Sequence, residues 1–203
     1  MTAKISEPFL GKYPISFKFG EAPAWYVKVF GYPHNGVDFA LPLSTPVMAC
    51  DGGRVAFADS VPDADGEGIV LEHVWGRSIY WHLSGLSATF GQQVERGATI
   101  GLSGATGFVT GPHLHFGLKV MADYNQAMKG FCDPLNYIDF TDPQPPLQLI
   151  KPVYHLVLPG QSLYSIAQKF YGDGAYWRKI YQANLDKIKD PALIYPFQKL
   201  LIP

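Results

Sequence analysis

A Pro-rich stretch at residues 141–148 separates two parts of the chain whose apolar residues recur with different periods. Before it, Gly-rich turns separate many short runs in which apolar and polar residues alternate, the period of a half-buried β-strand. After it, Leu163, Ile166, Ala167 and Phe170 recur at the spacing of an amphipathic helix. The sequence therefore predicts a mainly antiparallel β domain and a small α+β domain, with these bounds: residues 1–142, a linker over 143–152 and residues 153–203.

The second part reads as a strand–helix–helix–strand unit. Val153 to Leu158 form the first predicted strand, Pro159-Gly160-Gln161 a turn, and Ser162 an N-cap for the first helix. A second short helix is predicted around Ile180, and residues 200–203 form the last strand. A unit of roughly 50 residues buries a small core, so its apolar side chains must pack compactly.

Charge and cysteine content exclude several classes of protein. The 203 residues carry a net charge of −1 and no basic stripe, which argues against a nucleic-acid interface. Residues 1–151 hold 10 Lys and Arg against 14 Asp and Glu, whereas residues 152–203 hold 6 against 3.

No segment is long and apolar enough to span a bilayer, and the N-terminus lacks the apolar core of a signal peptide. Cys50 and Cys132 are expected to be unpaired thiols, and their spacing does not suit a zinc site.

The run from His113 to Val120 alternates, with Leu114, Phe116, Leu118 and Val120 on one parity. We expect a strand with this apolar set facing the core and with His113 and His115 pointing to the opposite side. Two imidazoles on one side of a strand can reach one metal centre, or one can bind while the other does chemistry. Two surface histidines would give the same pattern.

Two further segments carry ligand-type side chains. Pro33 and Gly36 argue against a helix between His34 and Asp38, which therefore enter a strand from a loop. These two residues share a parity with Gly36, so the glycine leaves room between them. A turn-capping Asp beside a solvated His would give the same spacing. His82 ends a strand in which Ile79, Trp81 and Leu83 share one face; it falls on the other parity, with Tyr80, and alone is more often structural.

Catalytic zinc takes three protein ligands and keeps one position open for water. Four of the six histidines and one aspartate fall in these three segments, enough for a mononuclear zinc centre with two histidines to spare. The chain has no Glu-x-x-His pattern, so the glutamate base of many zinc peptidases is missing. Proton transfer and oxyanion stabilisation would then fall to histidine.

Together the segments resemble the lysostaphin/LytM family of zinc peptidases, which cut peptidoglycan peptides. The family pattern is His-x-x-x-Asp, then Tyr-x-His-Leu-Ser, then Gly-x-His-x-His-Phe, and all three occur here in order. The resemblance implies that His34, Asp38 and His115 are the zinc ligands and that His82 and His113 are the catalytic histidines. Some relatives carry an upstream tyrosine that helps the oxyanion. Lys28 stands at that position here, which leaves the alternatives Tyr26 and Tyr32.

The second unit resembles a LysM module, a binder of N-acetylglucosamine-containing glycans. The resemblance rests on Ser162-Leu163, Ile166-Ala167, Tyr171-Gly172-Asp173, Trp177, Asn184 and the ending Leu200-Leu201-Ile202-Pro203. The usual Pro-Gly-Gln before the last strand is Pro196-Phe197-Gln198 here. Glycan contacts carried over from the resemblance are two loops: Gly160, Gln161 and Ser162, and Ile194 with Tyr195.

These resemblances imply a zinc metalloendopeptidase, a cell-wall hydrolase or lysin that cleaves stem or cross-bridge peptides and is held at the wall by LysM. The expected partners are peptidoglycan peptides and glycan, with Zn²⁺ as cofactor, no nucleic acid, no membrane span and a monomeric chain. The site of action is the wall, outside the cytoplasmic membrane, reached from a processed precursor or as a phage product. The alternatives are a silent glycan-binding or amidase-activating protein and a zinc D-Ala-D-Ala carboxypeptidase. The bond that is cut does not follow from the sequence.

Overall fold

The structure is a computed structural model that describes residues 3–59, 66–141, 148–149, 153–171 and 174–202. It contains a ten-stranded sheet and a separate two-stranded sheet, each with its own apolar core. The first core draws on residues between Ala3 and Ile138, and the second on residues between Val157 and Ile202. The predicted fold class, a mainly antiparallel β domain plus a small α+β unit, is confirmed.

Three helices and twelve strands form the regular structure of the described residues. The helices are α1 (Ala24–Phe30), α2 (Leu163–Tyr171) and α3 (Trp177–Gln182). Single turns of 3-10 helix occupy Gln126–Met128, Pro134–Asn136 and Gly174–Tyr176. The strands are β1 (Ile15–Phe17), β2 (Val37–Phe39), β3 (Pro46–Met48), β4 (Gly53–Asp59), β5 (Glu67–His73), β6 (Gly76–Leu86), β7 (Gln93–Val94), β8 (Ala98–Ser103), β9 (Leu114–Val120), β10 (Gln148–Leu149), β11 (Val153–Leu156) and β12 (Lys199–Ile202).

The large sheet runs in the order β1-β2-β9-β6-β5-β4-β7, and β8 pairs with β6, β3 and β10. All of these pairs are antiparallel except β8 with β10. Strand β9 lies between β2 and β6, so three sequence segments that are far apart meet side by side. In this register Asp38 lies opposite His115 on one side of β9, and Trp81 lies opposite it on the other.

Alternation along β9 separates the core from the site, as the sequence predicts. Leu114, Phe116 and Leu118 are fully buried in the apolar core. Tyr80 of β6 lies opposite Phe116, and its ring packs against the Phe116 ring with centroids 5.3 Å apart. His115 has the opposite parity, so its side chain leaves the apolar face toward Asp38.

The small α+β unit is closed by side-chain hydrogen bonds as well as by apolar packing. Strand β11 pairs antiparallel with β12. Ser162 caps α2, because its hydroxyl accepts a hydrogen bond from the backbone N–H of Ser165 at 3.2 Å. The buried Asn184 side chain donates to the carbonyls of Ile180 and Leu201 and accepts from the Leu201 N–H. This amide therefore ties the end of α3 to the last strand.

Most of the predicted linker, residues 143–152, lies outside the described residues. The exceptions within it are Gln148 and Leu149, which form β10 and pair in parallel with Ala98 and Thr99 of β8. The division into domains at residues 142 and 153 stays a prediction. Cys50 and Cys132 are buried free thiols, as expected. No helix in the described part of the chain is long and apolar enough to cross a membrane.

Candidate metal and catalytic centre

Three ligand-type atoms from β2, β9 and the turn before β2 converge on one point. His34 Nε2 lies 2.9 Å from His115 Nδ1, His115 Nδ1 lies 2.9 Å from Asp38 Oδ1, and His34 Nε2 lies 3.1 Å from Asp38 Oδ1. All three residues are buried. Ligand atoms at about 2.1 Å from a tetrahedral ion lie about 3.4 Å apart, so a few tenths of an ångström of opening would admit zinc.

The protons available cannot satisfy this triangle, which is the chemical evidence that it suits a cation. The Nδ1 atom of His34 lies 3.0 Å from the Lys18 carbonyl, which only accepts, so Nδ1 carries the proton and neutral His34 has a bare Nε2. Ionised Asp38 has no proton, and His115 Nδ1 can donate only one. The His34–Asp38 contact then brings two lone pairs together, and a bound cation would relieve that repulsion.

Gly36 supplies the space that the third ligand occupies. A Cβ at this position would lie 2.7 Å from both Cε1 and Nε2 of His115 and 2.6 Å from the Phe116 carbonyl oxygen. Real Cβ atoms essentially never approach other atoms this closely. The glycine between His34 and Asp38 therefore lets the His115 ring reach the same point as its two partners.

His82 reaches the site through an unusual backbone conformation. In a regular strand it would share the face of Tyr80, which is in the core, and the sequence places it on that parity. Its φ of 67° lies in the left-handed region, which a non-glycine residue adopts only under local constraint. This turn brings the His82 ring toward the other face, with its centroid 4.6 Å from that of His113 and 6.0 Å from that of His115.

The loop between β8 and β9 orients both of these histidines through backbone carbonyls. His82 Nδ1 lies 2.9 Å from the Thr106 carbonyl, and His113 Nδ1 lies 2.9 Å from the Gly111 carbonyl. A carbonyl only accepts, so each ring is protonated at Nδ1 when neutral and keeps its Nε2 lone pair. His113 Nε2 lies 3.7 Å from Asp38 Oδ2, at the edge of the three-atom cluster.

Hydrogen bonding favours an ionised Asp38, and burial favours neutral rings for His115 and His82. Burial opposes the charge of Asp38, but its hydrogen bonds to His115 and His34 hold the carboxyl pKa well below its usual range. Burial lowers the pKa of His115. Burial, together with the neighbouring His115 and His113, lowers the pKa of His82 from 6.5 to about 4. At neutral pH His82 is therefore an unprotonated base.

Aromatic side chains border the site on the side of β1 and α1. The Phe17 ring stacks on His34 with centroids 4.4 Å apart, and Trp25 stacks in turn on Phe17 at 6.5 Å. Of the two tyrosines considered for an oxyanion role, Tyr26 lies edge-on to His34 at 5.6 Å, whereas Tyr32 lies under the Lys129 ammonium at 4.0 Å from its ring centroid. The ring of Tyr26 is therefore a neighbour of the cluster.

The remaining two histidines are held in the interior of the two units, in keeping with a structural role. His73 Nδ1 lies 2.8 Å from the Gly52 carbonyl, and its Nε2 lies 2.7 Å from the Ser78 hydroxyl. His155 Nε2 lies 2.7 Å from Gln161 Oε1, and both histidines are about 7% exposed.

The five residues expected to contact glycan do not all offer side chains to a ligand. Gln161 Oε1 accepts from the Leu158 N–H at 2.8 Å, and the Ser162 hydroxyl caps α2. Ile194 packs against the apolar core of the small unit. Gly160 is exposed with a φ of 81°, and Tyr195 is 63% exposed. The two loops thus expose the Tyr195 ring and backbone, and the glycan contacts at these five residues stay a prediction.

Sequence reasoning missed the groups that orient the histidines. The carbonyls of Lys18, Thr106 and Gly111 fix the tautomers of His34, His82 and His113. A backbone carbonyl has no residue-type signature, so no sequence pattern could have identified them. The Phe17 stack lies 17 residues before His34 and carries no motif.

The match to known families fits this geometry. Residues 32–128, which contain all five clustered residues, match the profile of Peptidase family M23. The first domain belongs to peptidase family M23. Residues 155–203 match the LysM domain profile, so the predicted resemblance to both families is confirmed.

Curated relatives with similar sequences include peptidoglycan hydrolases. The chain is 42% identical over 125 residues to the peptidoglycan DD-endopeptidase ShyA of Vibrio cholerae, covering 60% of this chain and 28% of ShyA. It is 33% identical over 139 residues to lysostaphin of Staphylococcus simulans, covering 68% of this chain and 27% of lysostaphin. The chain therefore spans little more than a quarter of the length of these relatives.

Solved structures agree with the sequence matches. The lysostaphin catalytic domain of Staphylococcus simulans superposes with a TM-score of 0.52 at 32% identity, covering 62% of this chain and 91% of that chain. A zinc-containing peptidase from Vibrio cholerae superposes with a TM-score of 0.53 at 34% identity, covering 65% of this chain and 39% of that chain. The M23 domain thus shares its fold with known metallopeptidases.

Proposed function

We propose that this chain is a zinc-dependent endopeptidase that cleaves peptides of peptidoglycan and is held at the cell wall by its LysM domain. The observation that carries the proposal is the convergence of His34 Nε2, Asp38 Oδ1 and His115 Nδ1 within 3.1 Å of one another, next to the rings of His82 and His113. Two imidazoles and one carboxylate are a ligand set found in catalytic zinc sites.

His34, Asp38 and His115 would hold the ion. When bound, zinc supplies a Lewis acid that polarises the scissile carbonyl and lowers the pKa of water. The chain's own contribution begins with the carbonyl of Lys18, which keeps the proton on Nδ1 of His34 and so leaves Nε2 free as a ligand. Gly36 and the Asp38–His115 register fix the other two donors.

His82 and His113 carry the proton chemistry. With Nδ1 of each ring bonded to a loop carbonyl, both Nε2 atoms are available to the substrate. One ring takes the proton of the attacking water, and the pair then stabilises the oxyanion of the tetrahedral intermediate and returns a proton to the leaving amine. The lowered pKa of His82 keeps it unprotonated, and therefore ready as a base, at neutral pH.

The geometry weighs against one of the two other functions considered, and product analysis distinguishes the second. A silent glycan-binding or amidase-activating protein has no need for three buried donor atoms directed at one point, and the lone-pair contact between His34 and Asp38 is costly without a cation. A D-Ala-D-Ala carboxypeptidase remains a distinct outcome of product analysis, since it would release free alanine and leave cross-links intact.

The substrate is proposed from relatives whose names give two different activities. ShyA and ShyB are named peptidoglycan DD-endopeptidases, and the ALE-1 protein of Staphylococcus capitis is named a glycyl-glycine endopeptidase. Identity is 42% and 44% to the first two and 36% to the third. We therefore propose a cross-link of the DD type as the preferred substrate, cut outside the cytoplasmic membrane.

The LysM domain is proposed to act as a tether. Its core is separate from that of the M23 domain among the described residues, and residues 152–203 carry a net positive charge against a net negative charge on residues 1–151. Tethering to insoluble glycan would raise the concentration of the peptidase near its substrate without changing its chemistry. We propose that the chain does this as a monomer.

The test of the proposed activity is product analysis. The purified chain with one equivalent of zinc is incubated with soluble cross-linked dimers joined through D-Ala–diaminopimelate or through glycine bridges, and products are identified by mass spectrometry. We expect monomers from the first substrate and no free alanine. Free alanine with intact cross-links would show a carboxypeptidase, and unchanged dimers of both kinds at full zinc occupancy would overturn the proposal.

The tether is tested by comparing the full chain with a chain ending at residue 142. The two should cleave soluble dimers at equal rates, while only the full chain should sediment with insoluble walls and digest them faster. Equal activity on walls would show that LysM does not target the enzyme. Sedimentation equilibrium measures whether the chain is monomeric.

A further inference from the structure

Two turns of the LysM domain lie against each other at the end of its small sheet. The first spans residues 158–161 and is closed by the Gln161 N–H donating to the Leu158 carbonyl. The second spans residues 195–198 and is closed by the Gln198 N–H donating to the Tyr195 carbonyl. The second turn is bonded to Val157, the residue just before the first turn: the Val157 carbonyl accepts from the Phe197 N–H at 2.7 Å, and the Val157 N–H donates to the Gln198 carbonyl at 2.9 Å.

Phe197 occupies the position in the second turn where backbone geometry favours glycine. It is the third residue of the turn and has a φ of 69°. This left-handed conformation is uncommon for residues with a Cβ and is an outlier for a bulky side chain. The sequence pattern of the turn, with Phe between Pro196 and Gln198, departs from the usual Pro-Gly-Gln. The chain thus has an aromatic residue at a position where the backbone conformation favours glycine.

The ring is directed to solvent rather than into the core. Phe197 is 73% exposed, more than any other aromatic residue of the described part of the LysM domain. Tyr195 in the same turn is 63% exposed, and Leu158 in the neighbouring turn is 51% exposed. These exposed rings and apolar groups belong to the two turns whose glutamine side chains, those of Gln161 and Gln198, are used in hydrogen bonds within the domain.

We propose that Phe197 is a glycan-contacting residue, which lays its ring against the apolar face of an N-acetylglucosamine unit at the site formed by the two turns. This rests on the proposed glycan-binding role of the LysM domain. A pyranose ring has one face covered by C–H groups, and an aromatic ring is a rigid apolar partner for it, with little side-chain entropy to lose. Gly160 of the first turn is exposed, and a Cβ at this position would meet nothing within 4 Å, so this turn leaves open space for a sugar.

An unfavourable backbone conformation retained at an exposed ring is the signature expected of a residue kept for binding. Replacing Phe197 with glycine should therefore act in opposite directions on folding and on binding. The turn loses its left-handed strain, so the melting temperature of the LysM domain should be equal or higher. The glycan loses its stacking partner, so affinity should fall by ~3–10-fold.

The experiment measures both quantities on the full chain. Isothermal titration with a β-1,4-linked N-acetylglucosamine hexamer gives the affinity, and thermal unfolding gives the stability. Phe197→Gly should bind the hexamer more weakly without loss of stability, Phe197→Ala should bind weakly while keeping the strain, and Phe197→Trp should bind as tightly as the original chain. Tyr154→Ala is the matched control: Tyr154 is 47% exposed on the sheet, lies near the Lys199 ammonium and should leave affinity unchanged.

The outcomes separate this inference from the proposed function. If the original chain binds the hexamer and Phe197→Gly binds equally well, Phe197 is not a contact, while the proposed role of LysM stands. If the original chain does not bind the hexamer at all, both are overturned. A clear fall in melting temperature for Phe197→Gly would show that the ring holds the turn together, which also overturns the inference.

Discussion

Replacing Gly36 with alanine should remove zinc while leaving all three ligand residues in the sequence. The new Cβ would lie 2.7 Å from the His115 ring and 2.6 Å from the Phe116 carbonyl oxygen. An ordinary contact begins near 3.4 Å, so the His115 ring would have to retreat by roughly 0.7 Å and the Phe116 carbonyl of the central strand β9 by roughly 0.8 Å. Zinc ligand distances tolerate about 0.2 Å. We therefore expect zinc affinity to fall by at least ~10–100-fold and turnover by ~100-fold or more.

Competition with a chromophoric chelator measures the zinc affinity, and cleavage of a soluble cross-linked dimer measures turnover. Gly85→Ala is the matched control, since a Cβ at Gly85 meets nothing within 4 Å and its φ is not in the left-handed region. The unfolding of each protein without zinc is measured in parallel, so that loss of metal can be separated from loss of fold. Wild-type zinc affinity and turnover in a folded Gly36→Ala protein would refute the packing argument.

Three further predictions follow from other parts of the structure. His82→Ala should retain zinc and lose ~10²–10⁴ of turnover, because it removes a proton carrier but no ligand; loss of zinc by atomic absorption would contradict this. Burial lowers the pKa of His73, so the unfolded chain takes up a proton at this residue more readily than the folded chain. The free energy of unfolding present above about pH 6.5 should therefore fall as pH drops through that value. His73→Gln should flatten the pH dependence of urea unfolding, and an unchanged slope would refute this prediction. Asn184→Leu removes the amide oxygen that accepts the hydrogen bond of the Leu201 N–H, and should destabilise the LysM domain by ~1–3 kcal/mol in urea unfolding. An unchanged unfolding midpoint would show that the Asn184 amide is dispensable.

The sequence predicted the fold correctly wherever the spacing of apolar residues matched the period of a strand or a helix. Alternation in β9 correctly separated the core residue Phe116 from His115, and helical spacing identified α2. Parity also explained Gly36, because a residue between two convergent side chains has to be small. In a regular strand or helix the backbone alone fixes the direction of each side chain, so these directions can be predicted from the sequence.

The sequence failed where a single residue left the regular conformation. His82 was expected on the face of Tyr80, but its left-handed backbone turns the ring to the metal side. No propensity predicts a positive φ at a histidine within a strand, since it arises from the paired strands around it. The side chains of Gln161 and Ser162 make hydrogen bonds within the domain that the sequence pattern did not specify, and their contact with glycan stays a prediction.

The central claim, that a zinc centre is built from His34, Asp38 and His115 with His113 beside it, is tested most directly by zinc stoichiometry in two variants. His113 and His115 lie two residues apart on the same side of β9, but only His115 reaches the three-atom cluster at 2.9 Å. Elemental analysis should find one zinc per chain in the original protein and in His113→Ala, and essentially none in His115→Ala. Full zinc in His115→Ala together with its loss in His113→Ala would contradict the account.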